Sequence, residues 1–147
     1  MNASQIMTSN VLTVAPNMGI KELASIFIEK GISGAPVVDA SGKYLGVVLE
    51  ESLIVQDKKV HLPTFINVMF GYLTIGEKRF EDELKKIAAI TVEGIMDKNH
   101  VTLKLNSELE DIATLMIEKG VNYFPVIDGG KVAGVITRRD IVRAMIK

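Results

Sequence analysis

The chain carries the stretch IEKGISGAPVVD at residues 28–39 and a related stretch, IEKGVNYFPVID, at residues 117–128. The two lie 89 residues apart, and the correspondence extends in both directions. Upstream, Ile6-Met7 matches Ile95-Met96; downstream, after one deletion, Gly46-Val47 matches Gly134-Val135. Self-similarity at a fixed spacing, here over about 45 positions, indicates repeated structural units. The sequence therefore predicts two related units, at 1–55 and 92–147, separated by an insert at 56–91.

Both units show the same succession of patterns. A short strand (11–14 or 101–105) precedes a helix with one apolar face, and a β-rich run follows. Gly31 and Gly120 stand where these helices would end, and Ser107 with Glu110 has the spacing of a capping box. A glycine-containing turn leads to another strand (44–49 or 132–137), and the last helix is expected at 139–146.

The predicted order is β-α-β-β-α in each unit, which is a mixed α/β (α+β) fold. A unit of about 50 residues is too small to build a robust hydrophobic core by itself. We therefore expect the two pseudo-symmetric units to pack sheet to sheet as one globule.

The composition narrows the class of protein. The 147 residues include 17 basic and 18 acidic side chains, a balance that does not suit a broad nucleic-acid-binding face. Cysteine is absent, which excludes disulfides and thiolate metal sites, and His61 lies far from His100, so no metal site is expected. Neither the first 20 residues nor the uncharged stretch 60–76 reads as a signal peptide or a membrane span. A soluble, cytoplasmic protein is expected.

The insert has two parts with different patterns. Residues 65–75 are mainly apolar, whereas 77–90 has the pattern of a charged amphipathic helix. Three interpretations stay open: the segment covers a sheet edge or seals the core, it forms a dimer contact or a docking surface for another protein, or it lies on a membrane surface. The last is disfavoured because the polar face of the helix is not especially basic.

Three motifs together carry a resemblance to a known family. They are Thr13-Val14-x-Pro16, the run Gly31-Ile-x-x-x-Pro36-Val-x-Asp39, and Gly134-Val-Ile-Thr-x-x-Asp140. Their order, in two copies, resembles the cystathionine-β-synthase-type (CBS) domain, and the pair resembles the tandem arrangement called a Bateman module. The resemblance covers about residues 4–55 and 92–147 and leaves out the insert, which is longer than the usual linker. It implies a pseudo-symmetric disc that binds an adenosine-containing ligand between its units, reports energy or cofactor status and is not a catalyst.

The run Thr137-Arg138-Arg139-Asp140 resembles the ribose-binding motif of that family. A vicinal diol offers two donors and an ionised carboxylate accepts with two oxygens, so Asp140 would hold both ribose hydroxyls and Thr137 would help. The two arginines would reach phosphates, and the helix N-terminus adds positive potential. The same spacing also resembles a capping box with Asp in place of Glu, and both roles can coexist.

The first unit departs from this motif. Its corresponding residues are Leu49-Glu50-Glu51-Ser52, which lack the hydroxyl and the carboxylate at the decisive positions. We therefore expect one competent nucleotide site rather than two.

The resemblance also places a base-binding loop opposite the ribose motif. The residues expected there are small or apolar and come from the first unit: Thr13, Ala15, Ile32, Ser33, Gly34, Ala35 and Pro36. Ile32 and Ala35 are equally compatible with plain core positions. Asn122 and Tyr123 of the second unit either reach the phosphates or fill the vacant half-site.

The function expected from the sequence is a stand-alone regulatory module. Its ligand would be AMP, ADP or ATP ahead of S-adenosylmethionine, and binding would change a surface offered to a protein partner. A homodimer is expected, with no catalytic role and no catalytic cofactor. The alternative is a structural or protein-interaction module with an empty cleft, which the degenerate first motif and the apolar insert favour.

Overall fold

The computed structural model describes residues 1–54 and 90–147. Its helices are α1 (Ala3–Ile6), α2 (Ile20–Lys30), α3 (Glu50–Ile54), α4 (Val92–Ile95), α5 (Leu109–Lys119) and α6 (Arg138–Met145). Its strands are β1 (Gly34–Val38), β2 (Tyr44–Leu49), β3 (Tyr123–Asp128) and β4 (Lys131–Thr137). The last helix is confirmed to within one residue at each end. The insert, including the helix expected at 77–90, lies outside the described residues except for its last two positions.

Each unit is built on one antiparallel hairpin. Strand β1 pairs with β2 from Gly34↔Leu49 to Val38↔Tyr44, and β3 pairs with β4 from Tyr123↔Thr137 to Asp128↔Lys131. Both hairpins carry a register shift at the same relative place, between Val37 and Val38 and between Val126 and Ile127. The shared irregularity supports the repeat read from the sequence, and the predicted fold class is confirmed.

The leading helix of each repeat packs on the other repeat. Ala3 and Ile6 of α1 are buried in the core of the second unit, which is centred on Phe124, Ile112 and Ile136. Val92 of α4 is buried in the core of the first unit with Leu23, Phe27, Val37 and Val48. The two cores are therefore completed by an exchange of helices, so each unit depends on the chain of the other.

The segments that follow these helices hold the exchange in place. Thr8 and Val135 exchange two backbone hydrogen bonds, from Thr8 N to Val135 O at 2.9 Å and from Val135 N to Thr8 O at 3.0 Å. Val47 and Asp97 do the same at 3.1 and 2.8 Å in the other half. The crossing is close, since a Cβ on Gly134 would lie 2.7 Å from the carbonyl oxygen of Thr8.

The first strand expected in each unit shrinks to one bridging residue. Val14 bridges Val37 and Leu103 bridges Val126, both in parallel orientation. In such a ladder the next hydrogen bond toward the N-terminus needs the N–H of Pro36 or Pro125, and proline has none. The prediction of strands at 11–14 and 101–105 is therefore wrong in extent, because the partner strand lacks the donor that would lengthen them.

The ends of the longer helices follow local rules with one exception. Gly31 and Gly120 end α2 and α5 in the left-handed conformation, with φ of 62° and 64°, as predicted. The capping box predicted for Ser107 and Glu110 is wrong. The Ser107 hydroxyl instead accepts a hydrogen bond from Lys104 N at 2.9 Å, and α5 begins at Leu109.

Apolar side chains also join the two units. Tyr123, Val47 and Val135 form a buried cluster, with Val11 and Leu49 packed against it. Its members come from β2, β3, β4 and the segment after α1, so the two hairpins pack against each other there. None of the described helices is long and apolar enough to cross a membrane.

Candidate functional site

A cleft of about 780 Å³ lies where the two units meet. Five parts of the chain line it. They are the segment after α1, the loop before β1 together with the first residue of β1, the β2–α3 junction, the start of β3, and the β4–α6 junction. The lining residues are Thr8, Asn10, Val11, Leu12, Gly31, Ile32, Ser33, Gly34, Leu49, Glu50, Glu51, Ile54, Asn122, Tyr123, Val135, Thr137, Arg138, Arg139 and Asp140. Both repeats contribute, so neither unit forms this cleft by itself.

Asp140 is the one buried charged side chain among the residues that the structure describes, with 3% of its surface exposed. Thr137 takes the extended N-cap conformation of α6, with φ −119° and ψ 174°, which places the third helical residue over the helix start. Asp140 Oδ2 there accepts a hydrogen bond from Thr137 N at 2.8 Å. The capping role expected from the spacing is therefore present.

The Asp140 carboxylate has four donors around it. Oδ2 accepts from the backbone N–H and the hydroxyl of Thr137, at 2.8 and 3.1 Å. Oδ1 accepts from the Thr8 hydroxyl at 2.8 Å and from Arg143 Nη1 at 3.0 Å. A carboxylate has about four lone-pair positions, so each is matched by a donor. These charge-assisted bonds offset the cost of burying the negative charge.

The equivalent corner of the first unit has no such carboxylate. Ser52 stands at the position of Asp140, and its hydroxyl oxygen accepts one hydrogen bond from Leu49 N at 3.1 Å. The repeat also places Asp97 where the other half has Thr8. The Asp97 carboxylate lies 3.3 Å from His100 Nδ1 and caps a local turn through Asn99 N, at 2.9 Å.

Tyr123 belongs to a buried cluster against which Leu49, the first residue of the degenerate motif, is packed. It is 6% exposed, and its ring carbons lie 3.0–3.1 Å from the point where Gly34 would carry a Cβ. His100 Nε2 holds the backbone there, 2.7 Å from Tyr123 O. Burial raises the pKa of the Tyr123 hydroxyl and, with the nearby Asp97 carboxylate, raises the pKa of Tyr44 to about 12. Both rings are therefore neutral at physiological pH.

The structure brings most of the expected site residues together. Those that line the cleft are Ile32, Ser33, Gly34, Asn122, Tyr123, Thr137, Arg138, Arg139 and Asp140. Four others do not line it: Thr13, Ala15, Ala35 and Pro36. Ala35 and Pro36 are buried within the first unit, as the core interpretation of Ala35 allows, and Thr13 and Ala15 flank the bridging residue Val14 on the exposed surface.

Sequence reasoning missed the segment after α1. Thr8, Asn10, Val11 and Leu12 line the cleft, and Thr8 contacts Asp140 across 132 positions of sequence. The relevant signal was the repeat match at Ile6-Met7, but it does not reveal on which unit the segment packs.

The charges of the lining are divided between two walls. Arg138 and Arg139 begin α6, whereas Glu50 and Glu51 begin α3 at the equivalent positions of the repeat. All four are exposed. The cleft therefore has one basic and one acidic wall instead of a uniform potential.

A cleft shared by two exchanged repeats, with a helix-capping carboxylate at one corner, defines a tandem-repeat module whose two units line a common cleft. The chain belongs to the CBS domain family, whose sequence model matches residues 3–57 and 92–147. One matched range overlaps each of the two repeats.

Two relatives illustrate how far the similarity extends. The uncharacterized protein MJ1426 of Methanocaldococcus jannaschii is 27% identical over 134 residues, which cover 85% of this chain and 80% of that protein. The chloroplastic CBS domain-containing protein CBSX2 of Arabidopsis thaliana is 28% identical over 143 residues, which cover 94% of this chain and 60% of that protein.

Solved structures of CBS domain proteins have the same fold as this chain. The CBS domain of a CBS domain-containing membrane protein from Sphaerobacter thermophilus matches with a TM-score of 0.74 at 24% identity, over 97% of this chain and 86% of that one. CBSX2 in complex with AMP matches with a TM-score of 0.73 at 25% identity, over 99% and 96% of the two chains. This arrangement is a tandem CBS pair, or Bateman module.

Proposed function

We propose that this protein is a regulatory module that binds an adenosine-containing ligand in the cleft and passes binding on to a protein partner as a change in the pose of its two units. The observation that carries the proposal is the buried Asp140 carboxylate at a wall of a cleft built from both repeats. The complex of CBSX2 with AMP supports the ligand class. A ligand can shift the pose only as far as it binds one pose better than the other.

The ribose would sit at the Asp140 corner. Its two hydroxyls would donate to the carboxylate in place of movable side-chain donors, while the Thr137 N–H keeps its hydrogen bond. Arg138 and Arg139 at the start of α6 would face the phosphate, where the helix N-terminus adds positive potential. The adenine would lie against the loop of Ile32–Gly34, which offers small side chains and backbone groups.

The charge of the lining favours a ligand with few phosphates. A chain of phosphates that leaves the arginine wall approaches Glu50 and Glu51 on the other wall, and like charges repel. AMP is therefore proposed ahead of ADP and ATP. S-adenosylmethionine belongs in the same test because its cationic group would suit the glutamate wall.

We propose no catalytic role for the cleft. The described part of the cleft lining contains no histidine or cysteine, and its one buried ionisable carboxylate is that of Asp140. The group is built to hold hydroxyls rather than to move protons.

Binding is tested by thermal shift and titration calorimetry with AMP, ADP, ATP, S-adenosylmethionine and NAD. At a concentration about a hundredfold above the dissociation constant, a ligand stabilises the folded protein by about 2.7 kcal/mol. We expect Asp140→Asn to weaken AMP binding at least tenfold and the matched Ser52→Ala to leave it within about twofold, since a lost charge-assisted bond amounts to about 1.5–3 kcal/mol. Equal affinities in the two variants would remove Asp140 from the site.

A second candidate function is an interaction module whose cleft stays empty. Two observations favour it: Asp140 is already satisfied by internal donors, and Ile28 of α2 and Ile117 of α5 are 82% and 83% exposed at equivalent positions of the repeat. Such a pair would suit a homodimer that covers both helices. Sedimentation of the wild type and of an Ile28→Lys/Ile117→Lys variant tests this function, and a monomeric wild type argues against it.

A further inference from the structure

One of the hydrogen bonds to the Asp140 carboxylate comes from a distant part of the chain. Thr8 comes from the segment after α1, and its hydroxyl donates to Asp140 Oδ1 at 2.8 Å inside the cleft lining. Its backbone is held independently by the paired hydrogen bonds with Val135. Thr8 itself is exposed, so rotation about its side-chain torsion releases the hydroxyl without moving the chain.

The four donors on the carboxylate differ in mobility. The Thr137 N–H belongs to the backbone at the start of α6 and is fixed. Arg143 lies half exposed on the second turn of α6 and pairs with Asp140 from the solvent side. The hydroxyls of Thr8 and Thr137 are side-chain groups that line the cleft. A diol arriving from the cleft would therefore compete first with these two hydroxyls.

We propose that the Thr8 hydroxyl is an internal substitute for one ribose hydroxyl. It satisfies the buried carboxylate when the cleft is empty and gives up that bond when ligand enters. The inference rests on the proposed function. In it, Thr8 determines both the affinity for the ligand and the preference for a ribose over a deoxyribose. Because one hydrogen bond replaces another, wild-type protein gains little from the ligand hydroxyl that displaces Thr8.

The same exchange makes a deoxy ligand tolerable. When the ligand lacks the competing hydroxyl, Thr8 keeps its bond to Asp140 and no lone pair is left unmatched. Without the Thr8 hydroxyl, the carboxylate is under-satisfied until a complete diol arrives. Removing that hydroxyl should therefore tighten binding of the riboside and leave the deoxyriboside almost unchanged.

The test compares three proteins, each titrated with three ligands. Wild type and Thr8→Val are titrated with AMP, 2′-deoxy-AMP and 3′-deoxy-AMP, with Thr8→Ser as the control that keeps a hydroxyl. We expect Thr8→Val to bind AMP about tenfold tighter than wild type and to prefer AMP over one of the two deoxy ligands by about tenfold more than wild type does. Thr8→Ser should stay within about threefold of wild type. Thr8→Ala is a second variant without the hydroxyl. Urea unfolding of each variant checks that its fold is intact.

Each outcome decides between the two ideas. If wild type and Thr8→Val bind AMP with the same preference over both deoxy ligands, Thr8 is no substitute and only this inference fails. If Thr8→Val binds AMP more weakly, Thr8 is a direct ligand contact and the inference also fails. If neither protein binds AMP or any other ligand in the panel, the proposed function fails and takes the inference with it. Binding by Thr8→Val alone would support both.

Discussion

Gly134→Ala is the substitution that most directly probes the crossing of the two repeats. The added Cβ would lie 2.7 Å from the Thr8 carbonyl oxygen and 2.7 Å from Met7 Sδ, whereas ordinary contact begins near 3.4 Å. The Met7 sulfur belongs to a flexible side chain and can swing away. The Thr8 oxygen is held by Val135 N at 3.0 Å, so the backbone segment must move.

The expected magnitude follows from that displacement. A shift of about 0.7 Å, the difference between 2.7 and 3.4 Å, stretches the Val135 N to Thr8 O hydrogen bond beyond its usual range. Losing the bond costs about 1 kcal/mol, and overpacking adds about 1–3 kcal/mol. The lower entropy of an unfolded chain with alanine returns about 0.4–1 kcal/mol. We expect a net loss of about 2 kcal/mol in the free energy of unfolding, from terms that together span about 1–3.6 kcal/mol.

Urea unfolding followed by circular dichroism measures this loss, which corresponds to a drop of roughly 5–10 °C in Tm. Gly46→Ala is the replicate in the other half, because its Cβ would lie 2.8 Å from Asp97 O. Gly94→Ala is the control, since its nearest neighbour is an Ile90 methyl group at 3.9 Å. A loss below about 0.5 kcal/mol at Gly134, or one equal to that at Gly94, would refute the reasoning that the crossing is rigid.

Three further predictions concern stability in the absence of ligand. Asp140→Ala should cost about 3 kcal/mol of unfolding free energy and Ser52→Ala only about 1 kcal/mol. The first substitution removes an acceptor of four hydrogen bonds, whereas the second removes an acceptor of one. Urea titration measures both losses, and equal losses would contradict this explanation. Tyr44→Phe should be neutral or stabilising by up to about 1 kcal/mol at pH 8, because the buried hydroxyl finds no partner among the described residues. The pKa of Tyr44 is raised from 10.0 to about 12. The folded state therefore favours the neutral phenol, and the contribution of this group to the free energy of unfolding is fully present below pH 10 and is lost as the pH rises to 12. The wild type should therefore lose more stability than Tyr44→Phe between pH 8 and 11, and parallel losses would contradict this. Val92→Ala should cost about 2 kcal/mol of unfolding free energy. Although residue 92 begins the second repeat, amide hydrogen exchange should become faster mostly in β1 and β2, because Val92 is buried in the core of the first unit. Faster exchange confined to β3 and β4 would contradict the exchanged packing.

Several elements were predictable because they depend on neighbours in sequence. Gly31 and Gly120 end their helices through local backbone geometry, and Asp140 caps α6 from within the first turn. The shortened strands were predictable in principle, since Pro36 and Pro125 are visible in the sequence and proline cannot donate to a ladder. The capping box predicted from the spacing of Ser107 and Glu110 was wrong because a serine side chain can stabilise a turn as readily as it can cap a helix.

The exchange of leading helices could not be predicted, because it depends on which unit a short segment chooses. Ala3 and Ile6 are ordinary apolar residues that would fit either core by pattern alone. The same gap explains why Thr8 was missed and why Thr13 and Ala15 were expected in the cleft. Asp140 and the adjoining arginines line the cleft because they stand at a strand-to-helix junction that the local sequence determines, whereas the opposite wall depends on tertiary packing.

The exchanged helices also restrict how the two units can move. Because α1 belongs to the core of the second unit and α4 to that of the first, the halves cannot swing apart like a hinge without pulling Ile6 or Val92 out of an apolar interior. A small sliding of one hairpin past the other keeps both helices buried. A signal from the cleft would then travel as a shear of roughly side-chain dimensions. Under the proposed function, a partner that responds to such a shear would have to contact both repeats at once, since the surface of either repeat alone would be the same before and after.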